Sequence, residues 1–306
     1  MDKKKSGWLF LVIIIAFIGT SIALSVLPIG AKMPFAVSTF LSEAIIWIPA
    51  LLFLAAGRIN PVRFCRFRKI HLSTALMTVL FAFMAIPAAT LMNILSMFFV
   101  ENTMVQMSGS ILGTGFLFAF FMTAVYGPFC EELVFRGILF QGYRKSASPL
   151  KAILISSLLF GLMHLNFNQA GYAFVLGIIM ALLMEATGSI WAPFIFHMTV
   201  NGRSVVVLFL SEKLTGLLEN VTRVSESMSA AVTTKDLVMM LCFESFIATI
   251  CLPIAGCILY WMAKKEGRTD SLKALWSERK AGKVWSIPVI LAIVISVGFM
   301  IAGVCL

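Results

Sequence analysis

Long apolar stretches separated by short polar connections run through most of the chain. Most of them are about 20 residues long or longer, the length with which an α-helix crosses the hydrocarbon core of a bilayer. Their residues do not alternate between apolar and polar as the strands of a membrane β-barrel would. The stretches predict helices over residues 8–29, 35–56, 73–100, 111–143, 150–165, 171–187, 189–210, 237–263 and 284–305. We therefore expect an all-α polytopic transmembrane bundle of about eight or nine helices, in which the fifth and sixth segments are short enough to be broken or re-entrant.

The composition indicates lipid as the environment of most of the chain. Of the 306 residues, 60% are hydrophobic and only 12% are charged. A soluble domain of this length could not bury that much apolar surface, so the lipid bilayer is the expected surrounding. The sequence therefore predicts an integral membrane protein consisting of a single membrane domain.

The basic residues are concentrated in short connections between the apolar stretches. The net charge is +10, from 24 Lys and Arg residues against 14 Asp and Glu residues. Most of the excess falls on residues 3–5, 58–69, 144–151 and 264–283. With the N-terminus in the cytoplasm, all four segments lie on the cytoplasmic side, as the positive-inside rule requires. This distribution predicts a cytoplasmic N-terminus facing anionic lipid and argues against a nucleic-acid partner.

Residues 125–140 form an apolar stretch that contains three charged side chains, Glu131, Glu132 and Arg136. A charged side chain at the centre of the bilayer costs at least about 2.5–3.5 kcal/mol to insert, so such residues are usually paired or functional. Glu132 and Arg136 are four residues apart, which places them on one helix face and predicts a salt bridge. Glu131 is rotated by about 100° from Glu132 and can face a different cavity.

Two further segments carry polar side chains at a similar depth. Glu131 and His164 each lie 13 residues from a basic residue at the cytoplasmic boundary, and Asn201 lies 12 residues from its own boundary. At 1.5 Å per residue, Glu131 and His164 are about 20 Å deep, Asn201 is about 18 Å deep and His197 is about 12 Å deep. His197 and Asn201 are four residues apart and share a helix face. The sequence therefore predicts one polar site built from three helices.

Each of these groups also has a structural explanation. A buried pair of Glu132 and Arg136 can fix helix packing. His164 alone can be a hydrogen-bonded core histidine, and His197 with Asn201 can bond across helices. Because all three features occur together, we favour a shared site.

Three other charged residues are expected in the outer half of the membrane, namely Glu43, Glu244 and Arg203. Pairing of Arg203 with either carboxylate is the simplest hypothesis, because an unpaired charge is unfavourable at this depth. We expect that pair to serve folding rather than chemistry.

The polar residues of the predicted site form three ordered motifs. Residues 131–136 read EExxxR, residues 160–164 read FxxxH and residues 197–201 read HxxxN. Together with the intervening residues 187–193, they resemble the CPBP family of CAAX proteases and bacteriocin-processing enzymes, which includes the type II CAAX prenyl endopeptidases. The resemblance covers residues 113–207, about a third of the chain. It implies an intramembrane protease of a bacterial cytoplasmic membrane.

The resemblance also suggests how the single membrane domain is organised. Residues 1–110 would form N-terminal accessory helices, residues 111–210 the CPBP-like catalytic core, and residues 237–306 the C-terminal helices. The expected partners are the lipid bilayer and a substrate that is a peptide or a membrane-anchored protein. A prenylated substrate is implied only by the name of the family.

For the first two motifs, the resemblance implies the activation of a water molecule. Glu131 would act as the general base on the water, and His164 would hold the same water. Glu132 and Arg136 would brace the base. Amide hydrolysis at neutral pH requires an activated water of this kind, and a positioned base contributes about 100- to 10,000-fold in rate.

For the third motif, the resemblance implies stabilisation of the tetrahedral intermediate. His197 and Asn201 would donate hydrogen bonds to its oxyanion. The loss of one such donor typically costs about 100- to 1,000-fold in rate, because the donors are already oriented toward the developing charge.

Three alternatives remain open at the level of sequence. Glu131, His164 and His197 could coordinate zinc as a His₂Glu site, but no HExxH motif is present and the family resemblance favours a glutamate-activated water without a metal or cofactor. The chain could instead be a non-catalytic bacteriocin-immunity or scaffold protein. A proton-coupled transporter is the third alternative, because buried Glu, His and Arg also form proton relays, although no inverted repeat is evident.

Overall fold

The computed structural model describes residues 3–28, 33–222, 233–278, 282 and 284–305. These described residues form twelve helices and no strand, and eight of the helices are long and apolar enough to cross a membrane. The predicted all-α polytopic fold is therefore confirmed. The helices are α1 (Lys3–Val26), α2 (Phe35–Ala56), α3 (Pro61–Phe64), α4 (Leu72–Ser96), α5 (Thr103–Leu112), α6 (Phe116–Ser146), α7 (Pro149–Met163), α8 (Phe167–Thr187), α9 (Trp191–Thr222), α10 (Thr234–Lys265), α11 (Thr269–Ser277) and α12 (Ile287–Cys305).

The fifth and sixth predicted segments form a helical hairpin, α7 and α8. α7 has 15 residues, which is shorter than a membrane span, whereas α8 has 21 residues and is long enough to cross. At 1.5 Å per residue α7 is about 22 Å long, so a helix that begins at the membrane boundary ends inside the hydrocarbon layer. The short fifth segment therefore places the residue that follows it, His164, at membrane depth.

Two segments that the sequence predicted to be connections between helices are helical in the structure. α5 occupies most of the predicted loop 101–110, and the backbone N–H of Thr103 anchors its start by donating to Asn168 Oδ1 at 3.1 Å. α9 continues to Thr222, so residues 211–222 of the predicted loop 211–236 are helical, and residues 223–232 lie outside the described residues. Neither extension carries a continuous apolar run, so the hydrophobic pattern gave no signal for either.

α6 is a 31-residue helix in which the backbone hydrogen bonds change in two places from the α-helical to the π-helical pattern. Phe121–Tyr126 and Leu133–Leu139 are π-helical, and Gly127–Glu132 between them is α-helical. Pro128 has no amide hydrogen and cannot bond the carbonyl four residues earlier, which favours an irregular ladder at this point. π-helical turns are rare and are frequent at functional sites. The two glutamates thus lie at the end of a short α-helical segment flanked by two irregular ones.

α4 and α6 hold the bundle together. α4 packs against α8, α9 and α10, and α6 packs against α2, α7 and α9. The face of α6 that follows the glutamates is fully buried at Val134, Phe135 and Ile138. Large apolar side chains elsewhere, such as Phe243 and Phe246 on α10, are more than half exposed, as lipid-facing residues are. Glu132 and Arg136 on α6, each 1% exposed, are therefore enclosed by protein.

The hairpin of α7 and α8 depends on two glycines at which the helix backbones approach closely. A Cβ atom at Gly161 would lie 2.6 Å from the carbonyl oxygen of Ala170, and one at Gly177 would lie 2.8 Å from Cβ of Ser157. Small residues at such crossings allow the close packing that stabilises helix pairs in lipid, where the hydrophobic effect does not drive association. Gly161 directly follows Phe160, so this contact fixes the position of the FxxxH motif.

Glu266, the residue after α10, binds the start of α4. Its Oε1 accepts hydrogen bonds from Thr74 Oγ1 at 2.6 Å and from the backbone N–H of His71 at 3.0 Å, and the residue is only 6% exposed. Burial raises the pKa of the Glu266 carboxyl, but the hydrogen bonds from Thr74 and His71 stabilise its charged form more strongly, so its pKa is lowered from the ordinary value.

We expect the Glu266 contact to make stability depend on acidic pH. Because the folded-state pKa is below the unfolded value of about 4.3, the stabilisation is complete above that value and is lost as pH falls through the folded-state pKa. Glu266→Gln should lower the free energy of unfolding at neutral pH by about 1.5–3 kcal/mol and reduce its dependence on acidic pH. The measurement is unfolding in detergent at a series of pH values. Asp270→Asn, at an exposed carboxylate, is the control, and an equal pH dependence in wild type and Glu266→Gln would contradict the prediction.

Candidate active site

The predicted salt bridge between Glu132 and Arg136 is present and deeply buried. Arg136 Nη1 donates to Glu132 Oε1 at 2.8 Å, and each side chain is 1% exposed. Because the two residues are one turn apart on α6, the pair requires no contribution from another helix. It supplies a fixed charge pair around which the other polar groups are arranged.

His197 on α9 bridges the two glutamates of α6. Its Nδ1 lies 3.0 Å from Glu132 Oε1, and its Nε2 lies 3.6 Å from Glu131 Oε2. An ionised carboxylate can only accept, so Nδ1 of His197 must carry the hydrogen of the bond to Glu132. The imidazole is thereby oriented with Nε2 toward Glu131. The Glu131 side chain is 18% exposed, against 1% for Glu132, so Glu131 is the accessible carboxylate of the pair.

His164 is oriented in a similar way by a backbone group. It directly follows α7, and its Nδ1 lies 3.0 Å from the carbonyl oxygen of Phe160. A carbonyl can only accept, so Nδ1 is the donor and Nε2 is left for another partner. Among the described residues no hydrogen bond or ion pair joins His164 to either glutamate. Both histidines of the site therefore donate from Nδ1 to an acceptor in the protein, and in both Nε2 is the ring nitrogen left to face the site.

Phe160 is the apolar centre around which the polar groups pack. The guanidinium carbon of Arg136 lies 4.2 Å from the centroid of its ring. The rings of His164 and His197 stand perpendicular to it at centroid distances of 5.2 and 5.9 Å, and Phe135 packs edge-on at 5.0 Å. Cation–π and edge-to-face contacts of this kind fix ring orientation. The first residue of the FxxxH motif thus connects α7 with both α6 and α9.

Asn201 joins α9 to the first irregular segment of α6. Its Nδ2 donates to the carbonyl oxygen of Thr123 at 3.0 Å. The contact occupies one of the two amide N–H groups of Asn201. The other N–H is available to a ligand, and Asn201 lies one turn beyond His197 on the same helix.

The structure brings the six predicted residues together, four of them by direct contacts and two of them indirectly. Four are joined by direct contacts within 3.6 Å, namely Glu131, Glu132, Arg136 and His197. His164 joins them through the ring of Phe160, and Asn201 through the backbone of α6. Within the described part of the chain, Glu132 Oε2 and Arg136 Nη2 are buried and make no hydrogen bond, so the site has hydrogen-bonding capacity that the fold does not use.

Residues 113–203 match the family described as type II CAAX prenyl endopeptidase Rce1-like. This segment is similar to that family. The predicted resemblance to CAAX proteases is confirmed for this segment. All six candidate residues lie within the matched segment.

Two curated bacterial proteins are similar to the same part of the chain. One is the putative membrane peptidase YdiL of Bacillus subtilis (strain 168), which is 31% identical over 98 residues, covering 32% of this chain and 39% of the relative. The other is the membrane-embedded CAAX protease MroQ of Staphylococcus aureus (strain USA300), which is 34% identical over 102 residues, covering 31% of this chain and 40% of the relative. The chain therefore matches about two fifths of the length of these relatives. No solved structure matches it.

The zinc site considered from the sequence is not assembled by the described residues. Among them, no group of three or more His, Cys, Asp and Glu side chains is arranged to hold a metal ion. Glu131 and His197 are close, but His164 directs Nδ1 to a carbonyl oxygen and makes no hydrogen bond or ion pair with either of them within the described residues. The arrangement thus does not provide a His₂Glu donor set.

Glu43 on α2 is a buried carboxylate beside the site that the motifs did not indicate. It is 7% exposed, and its Oε1 would lie 3.3 Å from a Cβ atom at Gly127. Gly127 is one turn before Glu131 on α6, and the charges of Glu43 and Glu131 are close enough to interact. Of the two carboxylates expected as partners of Arg203, Glu244 is the one whose charge interacts with it. Only the general rule that intramembrane carboxylates are rarely incidental could have drawn attention to Glu43.

Proposed function

We propose that the protein is an intramembrane endopeptidase in which Glu131 activates a water molecule for attack on a peptide bond. One observation carries the proposal: the accessible carboxylate of Glu131 lies 3.6 Å from Nε2 of His197, whose Nδ1 is held by the buried Glu132–Arg136 pair. A base beside an oriented donor is the combination that amide hydrolysis requires.

In the proposed reaction, Glu131 accepts a proton from water as the water oxygen attacks the carbonyl carbon of the substrate. The protonated Glu131 then gives that proton to the leaving nitrogen, and the carbon–nitrogen bond breaks. His164 offers its Nε2 to the same water, because its Nδ1 is already bonded to the carbonyl of Phe160. The products are a new carboxyl terminus and a new amino terminus.

His197 and Asn201 stabilise the oxyanion of the tetrahedral intermediate in this proposal. With a hydrogen on both ring nitrogens, His197 donates from Nδ1 to Glu132 and offers its Nε2 hydrogen to the oxyanion, and the carboxylate of Glu132 compensates its charge while Glu131 holds the proton of the water. Asn201 contributes the amide hydrogen that Thr123 does not use. Glu132 and Arg136 position His197 and do not contact the substrate.

The substrate class follows from the family and from the membrane depth of the site. CAAX-type proteases act on polypeptides, so we propose a membrane-anchored protein or a peptide that reaches the bilayer. With the predicted cytoplasmic N-terminus, a depth of about 20 Å in a hydrocarbon core of about 30 Å would place the cut near the middle of the membrane. Nothing in the six side chains selects for a prenyl group.

The test compares cleavage with binding in proteoliposomes that contain the purified protein and membrane extract as substrate. We expect His164→Ala to abolish the appearance of new peptide termini while leaving substrate capture intact, and a metal chelator to leave wild-type cleavage unchanged. A non-catalytic immunity or scaffold protein would produce no new termini in either form. Chelator-sensitive cleavage that zinc restores would contradict the metal-free mechanism, and substrate flux without cleavage would indicate a transporter.

A further inference from the structure

A cavity of about 530 Å³ lies where α6 reaches the membrane boundary, between the end of that helix and the connection that follows α2. Four of its lining residues are basic, and none is acidic. The basic residues are Arg63, Arg66, Arg144 and Lys145. The concentration of four positive charges around one concave space is the electrostatic signature of an anion site. The cavity belongs to a part of the chain that the proposed proteolytic mechanism does not use.

Local structure holds the basic side chains at this cavity. Arg144 bonds Glu185 at 2.7 Å and Glu278 at 3.1 Å, which fixes its guanidinium at the wall. The ammonium of Lys145 lies 4.7 Å from the centroid of the Phe64 ring. Cation–π contacts orient a cation without neutralising its charge. The cavity is therefore lined by positioned charges.

Positive charge exceeds negative charge around the cavity. Arg66 is half-buried, and its pKa is lowered by burial and by the neighbouring Arg268 and Arg144, against the opposing effect of Glu185. Arg268 itself lies 3.8 Å from Glu185, so Arg144 and Arg268 both pair with that carboxylate, and its charge also acts on Arg66. Like charges held this close repel one another, and a bound anion would reduce the repulsion.

We propose that this cavity binds the phosphate group of an anionic phospholipid. Guanidinium groups match phosphate oxygens through paired hydrogen bonds. The cavity lies at the end of a membrane-spanning helix, at the level of the lipid headgroups. Ile59 and Phe64 add apolar lining, and Val62 beside Arg63 is 58% exposed, so acyl chains have an apolar surface next to the phosphate. A soluble phosphate compound would gain nothing from that surface.

The test measures lipid retention by native mass spectrometry after reconstitution in nanodiscs of phosphatidylcholine with phosphatidylglycerol. Arg63→Gln and Arg66→Gln should each weaken phosphatidylglycerol binding by about fivefold, because each basic side chain near anionic lipid contributes about 1 kcal/mol. Arg58→Gln is the matched control, since Arg58 lies in the same connection, is exposed and does not line the cavity. Lys145→Gln provides a variant at an exposed position in case the Arg66 variant does not fold.

Two results would overturn the proposal. One is an equal loss of phosphatidylglycerol in Arg58→Gln and in the variants that line the cavity, because a general surface effect would then explain binding. The other is complete displacement of the lipid by inorganic phosphate at millimolar concentration, because a soluble anion would then be the occupant. Retention of lipid by wild type in the presence of phosphate, with selective loss in Arg63→Gln, would support it. Neither result depends on whether the protein cleaves peptides.

Discussion

Replacing Glu131 with Gln should reduce the rate of peptide-bond cleavage by about 100- to 10,000-fold while leaving the fold intact. The amide of glutamine preserves the size of the side chain but cannot accept a proton from water. The Glu131 side chain is 18% exposed and is not part of the buried Glu132–Arg136 pair, so its replacement by glutamine leaves that pair in place. The measurement is the initial cleavage rate in proteoliposomes together with the melting temperature of the purified variant.

The control for Glu131→Gln is Glu212→Gln, at an exposed carboxylate about three helical turns beyond Asn201 on α9. This variant should cleave at the wild-type rate. A Glu131→Gln protein that is folded and keeps more than about a tenth of the wild-type rate would contradict the role of Glu131 as the base, because loss of a general base costs about 100-fold or more.

Breaking the pair of Glu132 and Arg136 should have the largest effect on stability. Arg136→Met leaves the carboxylate of Glu132 buried at 1% exposure with His197 as its remaining partner. Removal of one partner from a buried ion pair costs about 3–5 kcal/mol, because the other charge is left uncompensated. The double variant Glu132→Gln with Arg136→Met should recover much of that stability, since no buried charge is unpaired. Unfolding in detergent measures both effects.

A matched exposed pair provides the control for this prediction. Lys273 and Asp270 are also close in sequence and lie 3.3 Å apart, but their side chains are 73% and 93% exposed. Lys273→Met should therefore change the free energy of unfolding by no more than about 1 kcal/mol. The interpretation fails if Arg136→Met is as mild as Lys273→Met. It also fails if the double variant recovers cleavage as well as stability, because Glu132 and Arg136 would then not position His197.

The spans and the central charge pair could be predicted from sequence because each depends on local spacing. A continuous apolar run of sufficient length specifies a membrane helix without reference to its neighbours. Two residues four positions apart share a helix face, so the contact of Glu132 with Arg136 follows from the helix alone. The three motifs also identified the segment that the family comparison matches, residues 113–203.

Features that depend on contacts between distant segments were not predictable in the same way. The bridge that His197 makes to both glutamates depends on the rotation of α9 against α6, and the burial of Glu43 beside Gly127 depends on the packing of α2. The hydrophobic pattern of α6 does not indicate that its backbone is π-helical both before and after the two glutamates. α5 was missed because its sequence is polar enough to read as a connection, although Asn168 anchors its start.

The most direct test of the account is quantitative peptidomics of cells that carry the wild-type protein or Glu131→Gln at equal abundance. The account predicts peptide termini that are present with the wild type and absent with the variant, and their parent polypeptides should accumulate uncut in the variant. An identical set of termini in both cells, with both proteins folded in the membrane, would contradict the claim that Glu131 and its neighbours form a proteolytic site.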